Sequence, residues 1–155
     1  MIEQTNSDSP KVSGPETLDP KIQGPQLKVP SKIAVRDQGR TMHLEYGDGL
    51  SATLRAEYLR IESPSAEVKG HAGVGGTLPT GKRYVKISAV EPVGHYAVAI
   101  HFDDGHDSGI YTWQHLRHLI RQEKRLWADY EKKLREQGSG REPDVQIIRL
   151  MDPPK

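Results

Sequence analysis

The sequence predicts an α+β fold: a small twisted antiparallel sheet with a short helix and one long C-terminal helix. Three observations carry this. Short runs of alternating or β-branched apolar residues recur from Lys32 to Thr112, most clearly in "YVKISAV" and "HYAVAIHF". Turn pairs such as Gln38-Gly39 and Asp104-Gly105 separate the runs. From Trp113 the spacing becomes helical, with Leu116, Leu119, Ile120, Trp127, Tyr130 and Leu134 near one stripe until Gly138 and Gly140 end it.

Along the chain, prolines at 10, 15, 20, 25 and 30 stand among scattered single aliphatics. Such a segment cannot bury enough to offset its ordering entropy, so residues 1–31 are expected to form a disordered Pro-rich tail. The folded domain is expected over 32–137, and 138–155 as a flexible tail with a short apolar segment. "KIAVRD" and "TMHLEY" read as a hairpin around Gln38-Gly39-Arg40. In "SATLRAEYLRI", Leu54, Tyr58 and Ile61 fall at helical spacing, which predicts a short helix ended by Pro64.

"YVKISAV" and "HYAVAIHF" predict a second hairpin, with "EPVG" as a type I turn and Tyr96, Val98, Ile100 and Phe102 on the buried face. Asp104-Gly105 then reverses the chain toward Tyr111, and Thr112 caps the long helix, whose many charges read as a solvated face. After "GSGREP", the segment "DVQIIRLMD" suits either an edge strand or a short recognition segment.

Composition narrows the function classes. With 155 residues and 34% of them apolar, the chain can bury one modest core. Its 22 basic and 21 acidic residues leave a formal charge of +1. That offers no field to hold nucleic acid or an anionic membrane, and neither is expected as a partner. With no cysteine, the chain has no disulfide, thiolate ligand or cysteine nucleophile. No apolar run reaches the roughly 18 residues of a membrane span. The start "MIEQTNSDSP" has no basic-then-apolar leader pattern, so a cytoplasmic location is expected.

Three catalytic patterns fail on inspection. Gly76-Thr77-Leu78-Pro79-Thr80-Gly81-Lys82 fits seven places of a phosphate-binding loop, but Arg83 stands where the magnesium-binding hydroxyl belongs, and a strand rather than a helix is expected next. His101-Phe102-Asp103 has the spacing of two iron ligands, yet a third from a distant strand is missing, so His101 reads as a surface strand residue beside a turn aspartate. No G-x-S-x-G elbow occurs.

Two stretches resemble a known family: "LRIESPSAEVKGH" and "EPVGHYAVAIHFDDGHDSGIYTWQHL". They are similar to the signatures of the gamma-butyrobetaine hydroxylase-like N-terminal domain family, in its stand-alone bacterial form. The resemblance covers roughly Lys32 to Arg121. It implies a small twisted antiparallel sheet with helices, found alone, in front of carnitine-pathway hydroxylases, or beside iron-sulfur carrier proteins. The hydroxylase barrel is a separate domain that this chain is too short to contain, so hydroxylation by this chain is not expected. The hydroxylases' version of the domain resembles a zinc module in which three cysteines join the histidine of a D-G-H turn. Here those positions are Ser63, Ser65, Val68 and His106, and no cofactor is expected.

The resemblance leaves His106 to bond the "SPSAE" loop as a metal-free clasp. A second account pairs His71 with His106 and Glu67 around a labile metal. A third places Arg60, Ser63, Ser65, Glu67 and His71 beside His106, Ser108 and Tyr111 in a polar binding groove, with no nucleophile and base pair among them. The leading expectation is a non-catalytic accessory module that binds an unidentified protein partner or small metabolite. The alternative is a metal-handling accessory linked to iron-sulfur protein maturation or to a non-haem iron hydroxylase pathway. An independent enzyme ranks third.

Overall fold

The computed structural model describes residues 28–71 and 74–144. The expected N-terminal tail up to residue 27, and "DVQIIRLMD" apart from Asp144, lie outside the described residues.

Strands β1 (Pro30–Arg36), β2 (Thr41–Tyr46) and β3 (Ser51–Arg55) form an antiparallel meander. β1 begins two residues before the expected start of order. Between β1 and β2, Gln38 and Gly39 lie at φ 56° and 90°, and the Arg40 amide donates to the Asp37 carbonyl at 3.2 Å. Asp37 is left-handed as well, at φ 53°, and these residues with Arg40 form the tight loop between the last ladder pair, Arg36 and Thr41. Gly39 has a second duty, because a Cβ there would stand 2.5 Å from the Ile87 carbonyl oxygen. The turn of the first sheet thus packs directly on the backbone of the second.

Helix α1 (Ala56–Ile61) starts only after β3, whereas the sequence pattern placed the helix across both. Leu54 pairs with Met42, and Ala52 with Leu44. A spacing of four, as between Leu54 and Tyr58, satisfies both a strand and a helix, so periodicity alone could not divide them. A one-turn helix α2 (Ala66–Lys69) and a minimal hairpin, β4 (Gly70–His71) with β5 (Val74–Gly75), follow without having been anticipated.

The second sheet is β6 (Ile87–Val93), β7 (Ala97–Phe102) and β8 (Gly109–Thr112), in that order and antiparallel. Two expectations shift here. Tyr84 is 59% exposed and precedes the strand, since the Val85 amide turns back to the Lys82 carbonyl at 3.1 Å. The turn between β6 and β7 falls at 94–96 rather than at "EPVG". Pro92 stays in β6 opposite Val98, and β6 is an edge strand, where proline is tolerated. Tyr96 is drawn into the turn and exposed, so Ala97, Val98, Ile100 and Phe102 form the buried set.

Asp104-Gly105 makes the predicted reversal, and the Thr112 side chain accepts from the His115 amide at 3.1 Å. The long helix is divided at Gln122 (φ −107°, ψ 13°) into α3 (Trp113–Arg121) and α4 (Glu123–Glu136). At the break, the Tyr58 hydroxyl donates to the Leu119 carbonyl at 2.7 Å, an acceptor that a continuous helix would offer to the Glu123 amide. The two halves then bury different sets. Leu116 and Leu119 enter the core between the sheets, while Tyr130 reaches the Pro79 carbonyl at 2.8 Å. Burial pushes the Tyr130 hydroxyl up to about 12. Met42, Leu44, Leu54, Leu59, Ile100 and Leu116 are fully buried in one core shared by both sheets.

The chain after α4 is tied down as far as Glu142. The Ser139 and Gly138 amides return to the Leu134 and Arg135 carbonyls, with Gly138 at φ 63°, in a Schellman cap. The Gly81 and Arg83 amides then donate to the Gly140 and Arg141 carbonyls, both at 3.0 Å. Arg141 forks onto the buried Glu57 carboxylate at 2.7 and 2.8 Å. Arg141→Ala is therefore expected to leave Glu57 buried without its partner and to lower unfolding free energy by about 3 kcal/mol. Chemical denaturation measures this, and a change within experimental error would show the docking to be incidental.

Candidate functional site

The site is organised by the turn that links β7 to β8. Gly105 lies at φ 86°, the Phe102 amide donates to the His106 carbonyl at 3.0 Å, and Asp104 Oδ1 accepts the His106 amide at 3.2 Å. Asp104 Oδ2 receives Arg60 Nε at 2.9 Å and Lys82 Nζ at 2.5 Å. One carboxylate thus joins α1, the segment before β6 and the turn. Burial pulls its pKa upward, but the bonds from Lys82, the His106 amide and Arg60 outweigh that and hold it below 3.8.

His106 is 5% exposed and bridges to the loop after α1. Its Nδ1 lies 3.1 Å from Glu67 Oε2, and its Nε2 lies 2.9 Å from Ser63 Oγ and 3.4 Å from Ser65 Oγ. The carboxylate can only accept, so a neutral His106 donates through Nδ1 and accepts the Ser63 hydroxyl proton at Nε2. Burial and then the Arg60 charge lower its pKa, against the opposing pull of Glu67. The neutral ring follows from those causes.

Tyr111 and Gly109 pack beneath this bridge. The Tyr111 hydroxyl donates to the Leu59 carbonyl at 2.6 Å, and burial pushes its pKa well up. A Cβ on Gly109 would meet Ser63 Oγ at 2.7 Å and Tyr111 Cε2 at 2.8 Å, so only glycine lets β8 pass under Ser63. On the flank, His115 Nε2 donates to the Glu62 carbonyl at 3.0 Å, and burial lowers that histidine's pKa as well.

Of the residues singled out by sequence, Arg60, Ser63, Ser65, Glu67, His106 and Tyr111 are brought together. Ser108 is exposed in the loop before β8 and makes no side-chain bond among the described residues. His71 is placed by its backbone in β4, and its side chain lies outside the described residues. The set does not form an open groove, because Ser63 and Tyr111 are fully buried and Arg60, Ser65 and His106 nearly so. Asp104, Lys82 and Gly109 were missed as members. The first had been read only as a turn residue, and Lys82 only as part of a failed phosphate loop. Nothing in the local sequence marks Gly109.

The geometry also corrects the expectation that no nucleophile and base pair exists. Ser63, His106 and Glu67 stand at the spacings of a serine-histidine-carboxylate triad. Accessibility, however, runs the wrong way for a hydrolase. The Ser63 side chain is fully buried against Gly109 while the Glu67 side chain is 74% exposed, so an incoming carbonyl would meet the carboxylate and not the nucleophile. The zinc arrangement of the resembling family does not fit either. Ser63 and Ser65 offer neutral hydroxyls, Val68 offers no donor, and the His106 Nε2 lone pair is already engaged by Ser63. Among the described residues, no group of three or more histidine, aspartate or glutamate side chains could hold a metal ion. The other catalytic look-alikes dissolve too. His101 pairs with Glu91 at 3.2 Å while Asp103 accepts the Lys86 amide at 2.9 Å, and the element that comes next after Lys82 is strand β6, not a helix.

Next to the clasp lies an open groove of about 470 Å³. Arg60, Glu67, Thr80 and Lys82 give it polar walls, and Val68, Leu78 and Pro79 an apolar floor. Arg60, Glu67 and Lys82 belong both to its lining and to the bonded network of the clasp. No helix among the described residues is long and apolar enough to cross a membrane.

Comparison with known proteins adds the family. A solution structure 44% identical to this chain superposes with a TM-score of 0.66, covering 80% of this chain and 98% of the other. A second solution structure, 36% identical, covers 84% and 99% with a TM-score of 0.65. A crystal structure of a DUF971-family protein of unknown function from Acidithiobacillus ferrooxidans is 41% identical over 59% of this chain and 91% of its own, with a TM-score of 0.49. No curated protein matches the chain. The family model described as gamma-butyrobetaine hydroxylase-like, N-terminal, matches residues 33–117, which span both sheets, the clasp and the cap of α3. This chain therefore belongs to the gamma-butyrobetaine hydroxylase-like N-terminal family.

Proposed function

We propose that this domain is a non-catalytic accessory module that binds a protein partner or small metabolite in the groove beside the clasp. The observation that carries the reading is the inverted exposure of the Ser63–His106–Glu67 chain. Its reactive end is buried and its carboxylate end faces the groove. Polar groups that would do chemistry are spent on holding the loop of residues 62–69 to the turn, which leaves the groove walls for recognition. A metal-handling accessory would need donors that Ser63, Ser65 and Val68 do not supply.

The groove reading is tested with Thr80→Trp, an exposed substitution that fills the groove without touching the clasp. Immobilised wild-type protein should retain a protein or metabolite that the variant, at equal melting temperature, does not. Identical retained sets would end the claim. In parallel, p-nitrophenyl acetate should be hydrolysed no faster by wild type than by Ser63→Ala, and a rate lost in that variant would make the chain an enzyme.

The clasp is also proposed to work without metal. Elemental analysis of the purified protein should find no stoichiometric zinc; about one tightly held zinc per chain would contradict this.

Acid should loosen the clasp. His106 and His115 have folded-state pKa values below the ordinary 6.5, so in mildly acidic solution the unfolded chain binds more protons than the folded one. Stability then falls as pH drops below 6.5, while Asp104, held below 3.8, is still charged. The melting temperature should decline from pH 7.5 to about pH 5. A flat profile would mean that both imidazoles become charged in the fold at no cost.

A further inference from the structure

A second groove, sharing no lining residue with the first, opens where the β1–β2 turn, the end of β3 and the docked chain around Arg141 meet. Its volume is about 520 Å³, within the roughly 300–1,000 Å³ range of small-molecule sites. Arg40, Arg55, Arg83 and Arg141 line it, against the carboxylates of Asp37 and Glu57.

The four guanidiniums are not equivalent. Arg141 is satisfied by Glu57, and Arg83 reaches Glu142 at 2.5 Å. Among the described residues, Arg40 and Arg55 have no carboxylate within 4.0 Å, and Asp37 is bonded to the Thr41 hydroxyl at 2.7 Å. Arg55 instead places its Cζ over the Trp127 ring, 4.0 Å from its centre. That contact holds the guanidinium at the groove, and no acceptor among the described residues takes its N–H groups. Tyr84, a 59% exposed aromatic, stands on the same groove.

We infer that this groove binds a small phosphate monoester, its phosphate taken by Arg40 and Arg55 and its organic part laid against Tyr84. Two guanidiniums from different elements suit a tetrahedral dianion, which presents acceptors in more than one plane, better than a flat carboxylate. The paired arginines, Arg83 and Arg141, are already neutralised and act as walls. Phosphate on an open groove with a single aromatic surface matches a compact ligand rather than a polyanion, in keeping with a chain of formal charge +1.

The test is a ¹H–¹⁵N correlation titration of the full chain with inorganic phosphate and then phenyl phosphate, at ionic strength matched with sodium chloride. Saturable shifts are expected at the Arg40 and Arg55 amides and at the Trp127 indole, with phenyl phosphate binding more tightly than phosphate. Arg40→Gln should weaken both by roughly tenfold. Arg40 is exposed and makes no side-chain bond among the described residues, so this variant keeps the fold even if Arg55→Gln disturbs Trp127. Tyr84→Ala should remove only the advantage of phenyl phosphate. The inference fails if the shifts match the chloride control, if they survive Arg40→Gln unchanged, or if succinate binds as well as phosphate. Because Thr80 lies outside this groove, failure here leaves the Thr80→Trp result independent.

Discussion

A buried imidazole must satisfy two nitrogens, and the site is arranged around how His106 does so. Its Nδ1 needs an acceptor and its Nε2 a donor, and both come from one loop, as Glu67 and Ser63. That requirement fixes the loop against the β7–β8 turn. The turn must in turn place the ring, which it does through Asp104, whose two oxygens gather the His106 amide, Arg60 and Lys82. The ring and the carboxylate act as a pair. One is neutral and joins neutral and acidic groups; the other is charged and collects the cations.

The β1–β2 hairpin, most of β7, the reversal at Gly105 and the Thr112 cap were legible because each is a local choice, written in alternation or in a single turn residue. The faults came where tertiary contacts decide. Leu54 and Tyr58 satisfy strand and helix spacing alike, and only the Met42–Leu54 pairing separates them. A stripe from Leu116 to Leu134 looks continuous in sequence, yet the Tyr58 hydroxyl from α1 takes the Leu119 carbonyl and the helix breaks. Pro92 signals a turn locally, but an edge strand accepts it.

The site was half legible for the same reason. The D-G-H run and the "SPSAE" loop drew attention to His106, Ser63, Ser65 and Glu67, and those residues do meet. Their accessibility was not legible, since burial of Ser63 depends on the backbone of Gly109, 46 residues away in the chain. Nor was the role of Lys82, which reaches Asp104 from a segment with no regular structure.

On the proposed reading, the distances of a catalytic triad serve to hold a loop, because the order of exposure along the chain of bonds is reversed. Catalysis needs the nucleophile at the surface and the carboxylate inside, where a low dielectric strengthens its hold on the imidazole. Here water reaches Glu67 and not Ser63, which weakens the carboxylate's pull. Burial and Arg60 then win, and the ring stays neutral. A neutral imidazole accepting from a buried hydroxyl costs less desolvation than an imidazolium in the same place would. On the proposed reading, three polar side chains between Ser63 and Glu67 hold the imidazole from one side, provided that the backbone at Gly109 leaves room for the Ser63 hydroxyl.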